Sequence, residues 1–193
     1  MVGGATLKRH WENSAKGSAR ELLSAEKWDY VVIQELYNAT REPFEEYAIK
    51  FDEEIKKVGA KTVLFATANV TEHYGAAKFK YPDSFHALNQ MQVDLGTTRG
   101  IPVAAAGYAW MKYLGANPTE EQRLGLYDKD KGHPGAKGTY IYACLLYAML
   151  TGKTPEGLIS EFPNIKGGIV IPKDEAIKMQ KAAWEQYQEN IKR

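Results

Sequence analysis

Residues 126–150 read LYDKDKGHPGAKGTYIYACLLYAML, a polar loop that runs directly into a strongly apolar segment. The apolar residues of this segment recur at the spacing of one helix face, at Ile141, Cys144, Leu145 and Ala148. Gly152 is a suitable helix stop, and Pro134 stands where a helix can begin without losing a hydrogen bond. The stretch therefore predicts a buried helix over about residues 140–150, with His133 at its amino-terminal mouth.

Asp130 precedes His133 by three residues in this loop. A helix amino terminus disfavours an imidazolium, so a histidine there is expected to stay neutral and to act as a base. A carboxylate on the other ring nitrogen would fix the tautomer and stabilise the imidazolium formed during turnover. Taken alone, Asp-x-x-His also fits a solvated loop whose histidine merely caps a helix, so the longer context has to decide.

Residues 126–155, ending in LTGKTP, resemble the last conserved block of the SGNH (GDSL-like) esterases and lipases. More specifically, it resembles a bacterial branch of the family that reads Asp-x-x-His-Pro-Ser-x-x-Gly-Thr-Tyr before a hydrophobic helix and Leu-Thr-Gly-Lys-x-Pro. The resemblance implies that Asp130 and His133 belong to a Ser-His-Asp triad. Gly135 stands where the family usually has serine, so the helix cap is expected to be weaker here.

Two upstream segments extend the resemblance over about residues 2–158. VGGATLKRHW, at residues 2–11, looks like the family block in which a glycine N–H binds the oxyanion, and it offers Gly3 or, by preference, Gly4. WDYVVIQE, at residues 28–35, looks like the branch's WDYVVLQEQS, which implies that the Gln34 amide is a second oxyanion donor. Leu36 replaces the branch's second glutamine, and Asn38 is a further candidate donor.

The nucleophile is the part of the resemblance that this sequence does not supply. The family's first block, a strand followed by Gly-Asp-Ser or Gly-Asn-Ser, lies well upstream of the Gly-Gly block, at which this chain begins. None of the serines stands in a strand-to-turn setting; they are Ser14, Ser18, Ser24, Ser84 and Ser160. We therefore expect residues 1–193 to be one SGNH-like domain that lacks its first strand, first helix and catalytic serine.

Short β-branched runs alternate with helical patterns along the chain, which is typical of parallel βαβ units. Strands are predicted near residues 30–34, 62–67 and 101–106. Helices are predicted over residues 12–27, 43–58, 84–98, 108–114 and 172–191, with loops at 69–86, 116–132 and 152–168. The fold class is therefore α/β, a three-layer α/β/α sandwich around a parallel, flavodoxin-like sheet. The terminal helix could cap this domain or pair with another copy, so a homo-oligomer stays open.

Composition excludes several classes of function. The net charge of +1 and the pI near 7.8 give no bulk attraction to nucleic acid, and no apolar run reaches the length of a membrane span. The single cysteine, Cys144, cannot form an intrachain disulfide, so cysteine usage does not assign a cellular compartment. A signal peptide could precede the present N-terminus. A metal enzyme using His73, His86 and His133 is the weakest alternative, since no two histidines share a ligand spacing.

The sequence thus predicts an ester hydrolase without a cofactor, acting on a carboxylic ester such as an acetylated carbohydrate or another small ester. Its alternative is a catalytically inactive SGNH-like binding or scaffold domain that retains His133 in its cleft. Finding a Gly-Asp-Ser or Gly-Asn-Ser segment encoded upstream would separate the two.

Overall fold

A computed structural model describes residues 4–37, 39–68, 83–165 and 167–192, apart from the side chain of Ser84. The longer helices are α3 (Arg41–Lys57), α4 (Asp83–Arg99), α5 (Ala106–Leu114), α7 (Ala136–Thr151) and α8 (Lys173–Asn190). The shorter ones are α1 (Leu7–Glu12), α2 (Ala19–Ala25) and α6 (Glu120–Leu124). The strands are β1 (Tyr30–Ile33), β2 (Lys61–Ala66), β3 (Val103–Ala105), β4 (Glu161–Phe162) and β5 (Ile169–Val170).

The first three strands form one parallel sheet in the order β1-β2-β3, which confirms the predicted strands and their direction. Side chains of β2 alternate between the two faces of this sheet, as a strand requires. Leu64 packs into a core with α3 and α4, whereas Val63 and Phe65 pack with α5, α7 and α8. Helices therefore cover both faces of the parallel sheet, and the predicted α/β layering is confirmed.

The amphipathic helix predicted over residues 43–58 is α3. Its apolar face is buried, at Phe44, Tyr47, Ala48, Phe51 and Ile55. Val58 follows Ile55 at the spacing of the same face, but it is 37% exposed because the helix has already reached its C-cap there. Gly59 follows with a φ of 81°, a left-handed conformation that glycine adopts without strain.

The amino-terminal helix prediction was wrong, because residues 12–27 do not form one helix. Thr6 caps α1 by accepting from the Arg9 N–H, and Ser18 caps α2 by accepting from the Glu21 N–H. Gly17, with a φ of 76°, turns the chain between them. Helix α2 begins only after the Ser18 cap, and Glu12 is the last residue of α1, which starts before the predicted range.

Two predicted loops contain regular structure. Residues 116–132 include α6, which Thr119 and Gln122 begin with a reciprocal capping box. Residues 152–168 include β4, which pairs with β5 in a short antiparallel hairpin. The strands of this hairpin are two residues long, so they carry too few residues to show an alternating pattern.

Helix α8 lies beside α7 and runs in the same direction. Gln180 donates to the Tyr140 hydroxyl at 2.6 Å, and Lys137 pairs with Glu175 at 2.7 Å. The buried face of α8 consists of Ala176, Met179, Gln180, Ala182, Ala183 and Gln186. Ile177, Trp184 and Ile191 recur every seven residues in the sequence, but Ile177 and Ile191 are exposed. The terminal helix thus caps one face of the sheet, and its pairing with another copy stays a prediction.

Candidate active site

The loop before α7 is closed by backbone hydrogen bonds between its two sides. The Asp128 N–H donates to the His133 carbonyl at 2.8 Å, and the Gly135 N–H donates to the Leu126 carbonyl at 2.9 Å. The sequence had suggested that Pro134 begins this helix. Gly135 is instead the N-cap of α7, so Pro134 lies one residue before the cap. The same hydrogen bonds hold Pro134 in the loop beside Tyr127.

Asp130 and His133 are in direct contact at the tip of this loop. The Asp130 Oδ1 accepts from the backbone N–H groups of Gly132 and His133, both at 2.9 Å. Its second oxygen, Oδ2, lies 2.5 Å from His133 Nδ1. The predicted hydrogen bond between the two residues is therefore present, and the carboxylate is oriented by its own loop.

These contacts explain the electrostatics of the pair. Hydrogen bonds from the His133 backbone, the His133 ring and the Gly132 backbone lower the pKa of Asp130 to about 2, so it is ionised at neutral pH. With Nδ1 facing a carboxylate, the neutral ring carries its proton on Nδ1, and Nε2 is the nitrogen that can accept a proton. The His133 side chain is 74% exposed and that of Asp130 is 41% exposed, so both are accessible from solvent.

A buried aromatic cluster supports the loop from below. Trp110 is fully buried and stacks on Tyr142 with ring centroids 5.3 Å apart, while Tyr127 meets it edge-on at 5.0 Å. The Trp110 indole N–H donates to the Gly138 carbonyl at 3.1 Å. Gly138 is required at this contact, because a Cβ there would lie 2.2 Å from the Trp110 ring. The first turns of α7 are thus fixed against α5.

A hydrogen bond to Tyr142 and contacts through Asn190 of α8 show how α7 is oriented relative to the sheet. The Ala68 N–H, just beyond the carboxyl end of β2, donates to the buried Tyr142 hydroxyl at 2.7 Å. Near the other end of α7, Asn190 contacts Met149 and donates to the carbonyl of Val103, the first residue of β3. Helix α7 therefore begins on the carboxyl-end side of the sheet, the side on which α/β folds bind ligands.

The turn after β1 lies at the same carboxyl end of the sheet. Gln34 is exposed and lines a groove of about 450 Å³, whereas the next residue, Glu35, is buried. Gly4 is exposed and has a φ of 63°. Asn38 and Gly3 lie outside the described residues. The structure thus places Gln34 and Gly4 on the chain segments that Glu35 links, and their oxyanion role stays a prediction.

The groove beside Gln34 runs along β1, which is an edge strand of the described sheet. Its lining is mainly apolar and includes Leu22, Trp28 and Val32, which are 48%, 39% and 42% exposed. Within the described ranges, no strand pairs with this edge of β1.

The serines with described side chains lie on other elements than His133. Ser14 and Ser18 stand between α1 and α2, Ser24 is in α2, and Ser160 immediately precedes β4. Ser18 caps α2, and the Ser24 hydroxyl donates to backbone carbonyls of the same helix. Ser84 is the second residue of α4, and its side chain lies outside the description.

The remaining histidines have other neighbours. His86 packs on Tyr108, with Nδ1 3.4 Å from its hydroxyl, and His10 lines the groove beside β1. His73 lies outside the described residues. Across the described part of the chain, no group of three His, Cys, Asp or Glu side chains could hold a metal ion, and no helix has the length and hydropathy of a membrane span.

Sequence reasoning missed three residues that organise this site, namely Glu35, Gly138 and Tyr142. Each acts through a contact distant in sequence: Glu35 reaches Leu7, Gly138 faces Trp110, and Tyr142 reaches Ala68. For Glu35 the signal was a charged residue two positions after an apolar run, just beyond a strand end. Gly138 and Tyr142 carried no comparable local signal.

No family model matches this sequence, and no curated protein matches it. Among solved structures, it is similar to a protein from Slackia heliotrinireducens that is named as a candidate SGNH hydrolase. The TM-score is 0.64 at 21% identity, and the likeness covers 77% of this chain and 80% of that one. At this identity the comparison establishes the fold: the chain has an SGNH-hydrolase-like fold.

Proposed function

We propose that this chain forms the His–Asp half of an SGNH-type hydrolase that cleaves a carboxylic ester by a Ser-His-Asp mechanism. The observation that carries the proposal is the Asp130–His133 contact at the start of α7, on the carboxyl-end side of a parallel sheet with this fold. In this proposal residues 1–193 act as one domain, and the nucleophilic serine comes from outside these residues. The substrate is a small ester, with acetylated carbohydrates as one class to test.

His133 is the proposed proton carrier. Its Nε2 takes the proton from the serine hydroxyl as that oxygen attacks the ester carbonyl, and then returns it to the leaving alcohol. Asp130 holds the ring by Nδ1 and stabilises the imidazolium formed between these steps. Water attack on the acyl-enzyme repeats the same proton transfers and releases the acid.

The developing negative charge on the carbonyl oxygen needs donors that are already in place. We assign this role to the Gly4 N–H and the Gln34 side-chain amide, with Asn38 as a further donor. Support for Gly4 and Gln34 is that their segments are joined by Glu35 at the carboxyl end of β1. Loss of one such donor typically lowers kcat by about 10²–10³-fold.

The test compares the bare chain with a chain extended upstream by a strand ending in Gly-Asn-Ser, using nitrophenyl acetate. The bare chain is expected to be nearly inert, and the extended chain to hydrolyse the ester. His133→Ala in the extended chain should leave roughly the 10³–10⁴-fold residual catalysis over water that remains when a triad member is lost. His86→Ala and Ser84→Ala are the controls and should retain activity.

Hydrolysis by the extended chain that survives His133→Ala would contradict the mechanism. An extended chain that folds and binds acetylated sugars without cleaving them would favour the second candidate, a catalytically silent binding domain. The observation that supports this second candidate is that Ser14, Ser18, Ser24 and Ser160 stand on or beside other elements than the His133 loop.

A further inference from the structure

Glu35 is a buried carboxylate that the proposed mechanism does not use. It immediately follows Gln34 at the end of β1, and its residue exposure is 3%. Glutamate is almost never fully buried unless its charge is paired or hydrogen-bonded. Its position therefore calls for a specific role.

The contacts of Glu35 join two segments that are distant in sequence. Its Oε1 accepts from the Leu36 N–H at 2.6 Å and from the Leu7 N–H at 3.2 Å, and its Oε2 lies 3.4 Å from the Leu7 nitrogen. Leu7 is the first residue of α1 and follows Gly4 by three positions, a reach of at most about 11 Å. One carboxylate thus binds both the segment of Gly4 and the turn of Gln34.

We propose that Glu35 is a positioning residue that fastens the Gly4 segment to the Gln34 turn, so that both oxyanion donors face one cleft. This inference rests on the proposed function, because it is there that Gly4 and Gln34 act as donors. Glu35 itself touches neither substrate nor reacting atoms; it acts through the backbone of Leu7 and Leu36.

Retaining a charge at this point weakens the fold. Burial raises the pKa of Glu35 above its ordinary value of 4.5, although hydrogen bonds from Leu36 and Leu7 and the charge of His10 oppose this shift. Between the ordinary and the raised pKa, the folded protein binds a proton that the unfolded chain releases. Stability therefore falls as the pH rises through this window. If the side chain at position 35 served folding alone, a neutral glutamine could accept the same hydrogen bonds without the cost of burying a charge.

The ionised form is the one that fastens the two segments most firmly, because both carboxylate oxygens then accept. Among the described residues, His10 on α1 is the ionisable group whose charge acts on Glu35. Protonation of Glu35 is expected to weaken the contact with Leu7 first, since its hydrogen bonds are longer than the one from Leu36.

The experiment follows the native chain by NMR between pH 4 and 8. The Glu35 side-chain carboxyl carbon gives the titration midpoint, and the Leu7 and Leu36 amides should shift with that midpoint. The Gly4 amide and the Gln34 side-chain amide should follow the same curve if Glu35 positions them. In Glu35→Gln this titration should be lost at all four groups.

Three further variants test whether the pH-dependent shifts at Gly4 and Gln34 arise from Glu35 or from another ionisable group. Glu21→Gln is the matched control, because the Glu21 Oε2 also accepts a backbone N–H, from Gly17 at 2.5 Å, but at an exposed site; it should keep the titration. His10→Gln should keep it too, with the midpoint moved upward. Glu35→Asp, which retains the charge on a shorter side chain, should restore pH-dependent shifts at Gly4 and Gln34 and serves if Glu35→Gln does not fold.

The proposal fails if Leu7 and Leu36 titrate while Gly4 and Gln34 do not, because Glu35 would then be a structural cap. It also fails if the Gly4 and Gln34 shifts persist in Glu35→Gln. These readouts need no turnover, so they are independent of the ester hydrolysis test. An extended chain without activity but with the coupled titration would overturn the proposed function and leave the contact itself established.

Discussion

Asp130 and His133 are held together across three residues of one loop, whereas Glu35 reaches Leu7 across 28 residues. The loop of the first pair packs through Tyr127 on fully buried Trp110, and the second pair lies beside an edge strand whose Val32 is 42% exposed. The two halves of the proposed site are therefore built differently. The α7 half is a local motif on a packed base, and the β1 half depends on contacts between distant segments along an open groove.

Two tryptophans give the sharpest test of this difference. Trp110→Ala removes a fully buried ring under the His133 loop and should lower the free energy of unfolding by about 3–5 kcal/mol. Trp28→Ala, on the groove side where the ring is 39% exposed, should cost roughly 1 kcal/mol. Urea unfolding followed by circular dichroism measures both, and equal losses would mean that the two halves are packed alike.

The contact between α7 and α5 should tolerate no added methyl group at Gly138. A Cβ there would lie 2.2 Å from the Trp110 ring and 2.3 Å from the Leu126 carbonyl oxygen. Gly138→Ala should therefore lower the free energy of unfolding by about 1–3 kcal/mol through overpacking. Gly125→Ala, at helical backbone angles, is the control and should change it by less than about 1 kcal/mol. A Gly138→Ala protein as stable as its parent would show that α7 can move away from α5.

The Gly135→Ser substitution tests whether this loop can accommodate the serine that is usual at this position in the family that the sequence resembles. Serine improves on glycine as an N-cap by a few tenths of a kcal/mol. Against this, a Cβ at Gly135 would lie 2.6 Å from the Tyr127 carbonyl oxygen, so the backbone must shift. The clash should outweigh the better cap, so Gly135→Ser should lower the free energy of unfolding by about 1 kcal/mol, measured by thermal unfolding. Ala136→Ser, one position later and exposed, should be close to neutral, and a raised Tm for Gly135→Ser would show that the loop adapts.

The smallest expected effect concerns the charge of Asp130, because the residue is exposed. Its pKa is lowered from 3.8 to about 2 in the folded chain. The stabilisation that this brings is present above pH 3.8 and is lost as the pH falls toward 2. Asp130→Asn should flatten the pH dependence of the unfolding midpoint in that window, and Asp128→Asn should leave it unchanged. An identical slope in both variants would place the acid sensitivity elsewhere.

The parts of the fold that sequence predicted are those with a strong local pattern. A few neighbouring residues suffice to recognise the apolar runs of β1 and β2 and the Phe44–Ile55 face of α3. The Asp130–His133 motif is likewise contained in four consecutive residues. Helix α1 was missed although Thr6 is a good cap, and α2 was predicted to begin too early although Ser18 is a good cap, because an Ala- and Ser-containing segment reads as one helix. Helix α6 was missed although its capping box, Thr119 to Gln122, stands in the sequence.

Long-range contacts account for the rest. Burial of Glu35 depends on α1 folding back to the end of β1, and the place of Tyr142 depends on α7 lying along β2. The exposure of Ile177 and Ile191 on α8 follows from which side of the helix meets α5 and α7. Their spacing by seven was correct, but spacing alone does not say which face of a helix is buried.

The burial of Cys144 in α7 gives this chain a built-in kinetic probe. The residue is 1% exposed, and burial raises the pKa of its thiol to about 12. The thiolate is the nucleophile that attacks thiol reagents, so labelling has to wait until α7 leaves the sheet and Cys144 can ionise in water. With one cysteine in 193 residues, the labelling rate measures how often the helix behind His133 opens, with no engineered probe.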